Sequence, residues 1–151
     1  AGLCTGRPFA WSLCLGPCAV GGVGGCRVLL DGGRGAVVRL SQLGVPVGSL
    51  DAVLFCHFHS DHYAALPDGV MTGAIPAPWG ARVKPLRVIG PEGVREVVEG
   101  LWSFMSADRS IRVADSGLDP ELNRVDVEVI SEGVVFDEDG IKIIAAVLIH
   151  I

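Results

Sequence analysis

Three of the chain's four histidines lie within six residues, His57-Phe58-His59-Ser60-Asp61-His62, directly after the apolar run 51–56. Alternate side chains of an extended segment share one side, so His57 and His59 can face a single cation while Phe58 turns toward the core. Ser is a favoured helix N-cap and Asp a favoured first-turn residue. A short helix capped by Ser60 would therefore aim Asp61 and His62 at a second cation. Neutral imidazole suits zinc and its neighbours, and a carboxylate adds charge for a hard or borderline ion. With no second Cys pair, the site reads as open rather than as a closed structural zinc site. Two cations about 3.5–4 Å apart can activate water and clamp the attacking and leaving oxygens of a displacement. The spacing thus predicts two divalent metal ions in a hydrolytic centre, zinc being the first expectation and manganese or iron fitting the same ligands. Chance clustering of surface or core histidines is the alternative.

Such a cluster needs a strand end beside a turn, and the chain reads accordingly. Leu50–Cys56 is the expected ligand-bearing strand, with Cys26–Asp31 before it and Leu86–Ile89 after it. By strand alternation Cys56 should point away from the ligands as a buried thiol. Helices are expected over Gly35–Leu43, over Asp61–Leu66 ending at Pro67, and over Glu92–Met105, whose Val94, Val97, Val98, Leu101 and Met105 recur at core spacing. The Pro- and Gly-rich stretch 72–84, with Trp79 exposed, reads as a loop, and 109–123 shows no clear period. Val125–Ile130, Gly133–Phe136 and Ile141–Ile149 read as strands, the last apolar on both sides as in a buried sheet. The glycines of 21–25 precede a strand instead of following one. They read as a hairpin turn and not as a dinucleotide loop.

These motifs carry a family resemblance. Leu29-Leu30-Asp31-Gly32-Gly33-Arg34-Gly35, the His57–His62 block and Leu66-Pro67-Asp68 resemble the metallo-β-lactamase superfamily, in the branch containing ribonuclease Z and arylsulfatase-type hydrolases. Leu3-Cys4-Thr5-Gly6, Gly16-Pro17, the stretch 85–93, Glu132-Gly133 and 140–144 resemble further elements of that branch, so nearly the whole chain is covered. The resemblance implies an α+β fold, the first half of a four-layer αββα sandwich, with residues 1–151 forming an incomplete domain. It implies His57, His59 and His150 at one metal, Asp61 and His62 at the second, and catalytic roles for Asp61 and His62. Asp31 would accept an N–H from a ligating imidazole and fix its tautomer, or else simply form the turn. The branch continues to a bridging Asp and a last His that these 151 residues lack. The chain is therefore expected to be a piece of a longer protein, without turnover of its own.

Charge and composition bear on substrate and setting. Half the residues are apolar, 19% are charged, and the net charge is −5. After Gly100 ten acidic residues face four basic ones, against seven and eight before it. A protein that clamps RNA should show a basic patch. Arg82, Lys84, Arg87 and Arg95 make a modest one that could face a phosphate or sulfate, or serve as a solvated rim. Three readings follow: a phosphodiesterase acting on RNA such as precursor tRNA, a hydrolase of aryl sulfate or small phosphate esters, and a non-catalytic metal-binding remnant. The five cysteines at 4, 14, 18, 26 and 56 lack paired spacing, which favours free thiols in a reducing, cytoplasmic setting, Cys14 with Cys18 being the one pair that could join or bind metal. No run approaches a bilayer span, and the apolar segment Phe9–Val20 lacks the basic start of a signal peptide. Trp79, Trp102 and Phe104 are available anchors for a homodimer.

Overall fold

A computed structural model describes residues 2–4 and 16–147, the side chains of 2–4 excepted; His150, Cys14 and most of the apolar 9–20 segment lie outside the described residues. Strands β1 (Gly2–Cys4), β2 (Cys18–Val23) and β3 (Cys26–Leu30) form an antiparallel edge, and β3 continues in parallel to β4 (Ala52–Leu54), β5 (Leu86–Gly90) and β6 (Val125–Val129). The sheet order is β1-β2-β3-β4-β5-β6. The β2–β3 turn is tighter than the sequence implied. Only Gly24 and Gly25 form it, both at positive φ (60° and 100°), the conformation a two-residue hairpin needs.

Alternation along the central strands fills both faces. Leu29, Val53 and Val88 pack with helices α1 (Ala36–Gln42), α3 (Leu66–Ala74) and α4 (Val94–Phe104) through Leu40, Val70, Val98 and Leu101. Val28, Ala52, Leu54 and Ile89 face the other way and bury Phe136 of the hairpin β7 (Gly133–Glu138) and β8 (Ile141–Ala145). A helix layer, a six-stranded sheet and the beginning of a second sheet are thus stacked in that order. This is the α+β architecture anticipated for half of an αββα sandwich.

Several expectations are corrected. Pro67 does not merely end a helix: it occupies the first turn of α3, where its missing N–H costs nothing, and α3 runs to Ala74 into the stretch read as loop. Residues 106–115 form a fifth helix, α5 (Ser106–Asp115), none of whose residues is buried, so no apolar stripe announced it. An Arg112–Asp108 pair at 2.8 Å and Arg109 over the Trp102 ring hold it instead. Strand β8 is not buried in a sheet; Ile144 is 66% exposed.

Three of the four residues expected to form a basic patch are occupied, Arg95 alone staying exposed without an ion pair among the described contacts. Arg82 turns inward, its guanidinium donating to the carbonyls of Val70 and Gly69 at 3.2 Å each, and burial lowers it to about 10, still charged at neutral pH. Arg87 pairs with Glu128 and Glu138 at 2.7 and 2.6 Å. Lys84 pairs with Asp51 at 2.6 Å.

Asp51 also accepts the Arg27 N–H at 2.6 Å, tying the start of β3 to the loop before β4. Partial burial alone would raise its carboxyl, but the hydrogen bonds from Lys84 and Arg27 and the ammonium charge outweigh that and hold it below its ordinary value. The same pairing raises Lys84. A depressed carboxyl stabilises the fold above the ordinary carboxylate range, and that stabilisation is lost as pH falls through the folded-state value. Asp51→Asn is therefore expected to flatten the acid limb of a denaturation-versus-pH series below about pH 4, by under about 1 kcal/mol because Lys84 is exposed.

Candidate metal centre

The histidine cluster sits where β4 runs out at the C-terminal end of the parallel strands. Phe55 N–H still donates to Ile89 carbonyl at 2.8 Å, but the chain bends at Cys56 and runs extended through His59, whose φ and ψ are −70° and 138°. Helix α2 (Ser60–Tyr63) then begins at Ser60 itself. His59 occupies the cap position and no side chain caps the helix, so the capping role expected of Ser60 is corrected. Beneath the bend Phe55, Phe58 and Tyr63 pack pairwise, tilted or edge-to-face, at 5.9 to 6.5 Å between ring centres. Phe58 turns to the core as expected, beside Phe55, and the three rings support the bend from below.

Above this platform the imidazoles converge. His57 Nε2 lies 3.1 Å from His59 Nδ1, and the His57 and His62 rings are 3.9 Å apart. Asp61, 9% exposed, places Oδ2 4.0 Å from His62 Nε2. Partial burial, with repulsion from the neighbouring His62 and His59, lowers the His57 pKa and favours the neutral ring a cation requires. His150 falls outside the described residues, so its distance to this group is not part of the geometry.

Asp31 reaches the cluster from the end of β3. Its backbone adopts φ 56°, a left-handed conformation that Asp tolerates better than most residues. Its N–H donates to Leu54 carbonyl at 2.7 Å, and its Oδ2 lies 2.9 Å from His62 Nδ1. That contact suits an imidazole holding its proton on Nδ1 and offering Nε2 to a cation. Groups that hold ligating histidines in this way typically contribute about 10- to 100-fold to metal affinity. Asp31→Asn should weaken zinc binding by about that factor in a chelator competition, with the circular dichroism of the fold unchanged.

Cys56 is the residue that sequence reasoning misplaced. It is exposed, and its sulfur touches the cluster, 2.9 Å from His57 Nδ1, 3.4 Å from His62 Nδ1 and 3.2 Å from Asp31 Oδ2. Desolvation of the sulfur, together with the hydrogen bond to Asp31 and its charge, pushes the thiol up to about 12. Period-two parity failed because the strand ends at Leu54, two residues before the cysteine. Cys18 and Cys26 are buried.

Donor chemistry and packing fit divalent ions: three imidazoles and a carboxylate share one strand end, and the donor atoms of Cys56, His57 and His62 all lie within 4.8 Å of one another. The fold is that of metallo-β-lactamase fold proteins. No family model matches the sequence, but over 97% of its length the chain is 35% identical to ribonuclease Z of Mycobacterium marinum, of which it covers 52%. Among solved structures it is similar to human tRNase Z, short form (TM-score 0.60, 23% identity, 72% of this chain and 39% of that one). It is also similar to the metallo-β-lactamase fold protein YhfI of Bacillus subtilis (TM-score 0.63, 17% identity, 87% and 46%). The chain spans about half the length of the curated relatives it matches.

Proposed function

We propose that this chain is the ligand-bearing first half of a ribonuclease Z-type hydrolase that cleaves a phosphodiester bond of precursor tRNA. The observation that carries the reading is the convergence of His57, His59, Asp61 and His62 at one strand end, in a chain similar along nearly all its length to ribonuclease Z. His57 and His59, with His150, would hold one divalent ion, and Asp61 and His62 the other. Bound there, such ions, zinc first among them, lower the pKa of water and neutralise charge on the phosphoryl and leaving oxygens. The chain's own residues do the positioning. Asp31 orients His62, the Phe55–Phe58–Tyr63 platform keeps water from the underside of the bend, and α2 fixes the Asp61 carboxylate beside His62.

The charge distribution favours a second reading, hydrolysis of a small phosphate or aryl sulfate ester. Arg82 is buried against backbone carbonyls and Lys84 and Arg87 are ion-paired, so three of the four residues expected to form a basic patch for RNA are buried or neutralised. The two readings separate when the full-length gene product, supplied with zinc or manganese, is assayed on a precursor tRNA, bis-p-nitrophenyl phosphate and an aryl sulfate. Chelator-sensitive cleavage of the tRNA supports the first, turnover of the small esters alone supports the second, and silence on all three counts against both.

A further inference from the structure

His57 and His62 both turn their Nδ1 edges toward the sulfur of Cys56, at 2.9 and 3.4 Å. Cys56 Sγ stands 2.9 Å from His57 Nδ1 and 3.2 Å from Asp31 Oδ2, while the same Asp31 oxygen stands 2.9 Å from His62 Nδ1. The Nε2 edges face the opposite way, toward His59 Nδ1 at 3.1 Å and Asp61 Oδ2 at 4.0 Å. A neutral imidazole that presents a lone pair at Nε2 carries its proton on Nδ1, and which nitrogen is protonated is set by the partner of the other. For His62 that partner is the Asp31 carboxylate. His57 has no carboxylate in the corresponding place. Among the described contacts of its Nδ1, the hydrogen-bonding group is the sulfur of Cys56.

A thiol is a weak donor and a weak acceptor at once. With its S–H directed at Asp31 Oδ2, its lone pairs are free for an N–H from His57. The Cys56 backbone N–H also donates to Asp31 Oδ1 at 3.0 Å, so the side chain and the main chain of one residue grip both oxygens of one carboxylate. This two-point hold fixes where the sulfur stands. We propose that Cys56 is a positioning residue of the metal centre, relaying Asp31 to His57 through its thiol and so holding His57 as the Nδ1–H tautomer with Nε2 free for a cation. One carboxylate thereby orients two imidazoles, His62 directly and His57 through sulfur. The functional consequence rests on the ligand assignment made above; the tautomer does not.

A rival arrangement makes the sulfur itself a ligand, since donor atoms of Cys56, His57 and His62 lie within 4.8 Å of one another. That arrangement would use the Nδ1 edges and leave His59 and Asp61 on the far side of both rings. The two are separated by experiment. In the metal-free protein, ¹⁵N imidazole NMR should show His57 protonated at Nδ1 in the wild type, shifted toward the Nε2–H form in Cys56→Ala, and restored in Cys56→Ser, whose hydroxyl also donates and accepts. Zinc affinity should fall about 10- to 100-fold in Cys56→Ala and recover in Cys56→Ser. Cobalt-loaded wild type should show no thiolate-to-metal charge-transfer band. Such a band, lost in Cys56→Ser, would overturn the proposal in favour of direct ligation, and so would an unchanged tautomer and affinity in Cys56→Ala. A wild-type protein that takes up no zinc or cobalt sinks the hydrolase reading instead, while the metal-free NMR spectra still decide the role of Cys56.

Discussion

His59→Ala is expected to empty the centre of most of its metal, lowering zinc affinity by more than the roughly 100-fold upper range for residues that only orient a ligand. The reason is positional. His59 Nδ1 is the group facing His57 Nε2 at 3.1 Å, so the two nitrogens share the point a cation would occupy, and alanine leaves one side of it to solvent. Because His59 is exposed and caps α2 through its backbone alone, its removal should leave the thermal unfolding of the metal-free protein nearly unchanged. Metal analysis after dialysis, paired with that unfolding curve, isolates ligation from stability. Unchanged metal content in a folded His59→Ala protein would contradict the ligand assignment in every functional reading.

How much of this was legible in the sequence depends on which force shaped each element. The strands β3, β4, β5 and β6 and the helix α4 bury apolar side chains at a regular period, and period is what a sequence displays. Helix α5 buries nothing and is held by an ion pair and an arginine stacked on Trp102, interactions with no periodic mark. The exposure of Ile144 was hidden for the opposite reason, since an apolar residue reads as buried whether or not anything covers it. In the centre itself the imidazoles were legible because spacing of residue types is enough to bring them together within six positions. Cys56 was not, because its orientation depends on where the strand stops. Arg82 and Arg87 were counted as free surface charge because a count of basic residues cannot see the carbonyls that draw Arg82 inward or the carboxylates that neutralise Arg87.

Tight backbone packing is the other thing that residue types barely signal, and it leads to the second large expected effect. The loop after Asp31 straps helix α2: Gly32 N–H donates to the His62 carbonyl at 2.6 Å, and Ala65 N–H returns to the Gly32 carbonyl at 2.9 Å. Gly33 N–H donates to the Pro17 carbonyl at 3.0 Å, and Gly16 N–H to the Arg34 carbonyl at the same distance. Three backbone segments therefore meet with no side chain between them. A methyl group on Gly33 would run into the Asp61 carbonyl oxygen and the Gly16 backbone, and one on Gly16 would strike the same Asp61 oxygen and Gly33. Neither obstacle is the flexible end of a side chain, so relief requires moving α2 or the 16–17 segment. Overpacking of this kind typically costs about 1–3 kcal/mol, and collision with backbone on two sides puts Gly33→Ala at the upper end of that range or beyond. Helix α2 is a single turn holding Asp61 and His62, so it is the easier element to displace. Gly33→Ala should accordingly lose about 3 kcal/mol in urea unfolding and bind zinc more weakly even under conditions where it is fully folded. Gly25→Ala, whose added methyl would meet nothing within 4 Å, provides the contrast: its cost is confined to the positive φ of a turn remote from the cluster in sequence, and its metal affinity should match the wild type. Equal metal affinity in a folded Gly33→Ala protein would mean that α2 holds its place without the glycine strap.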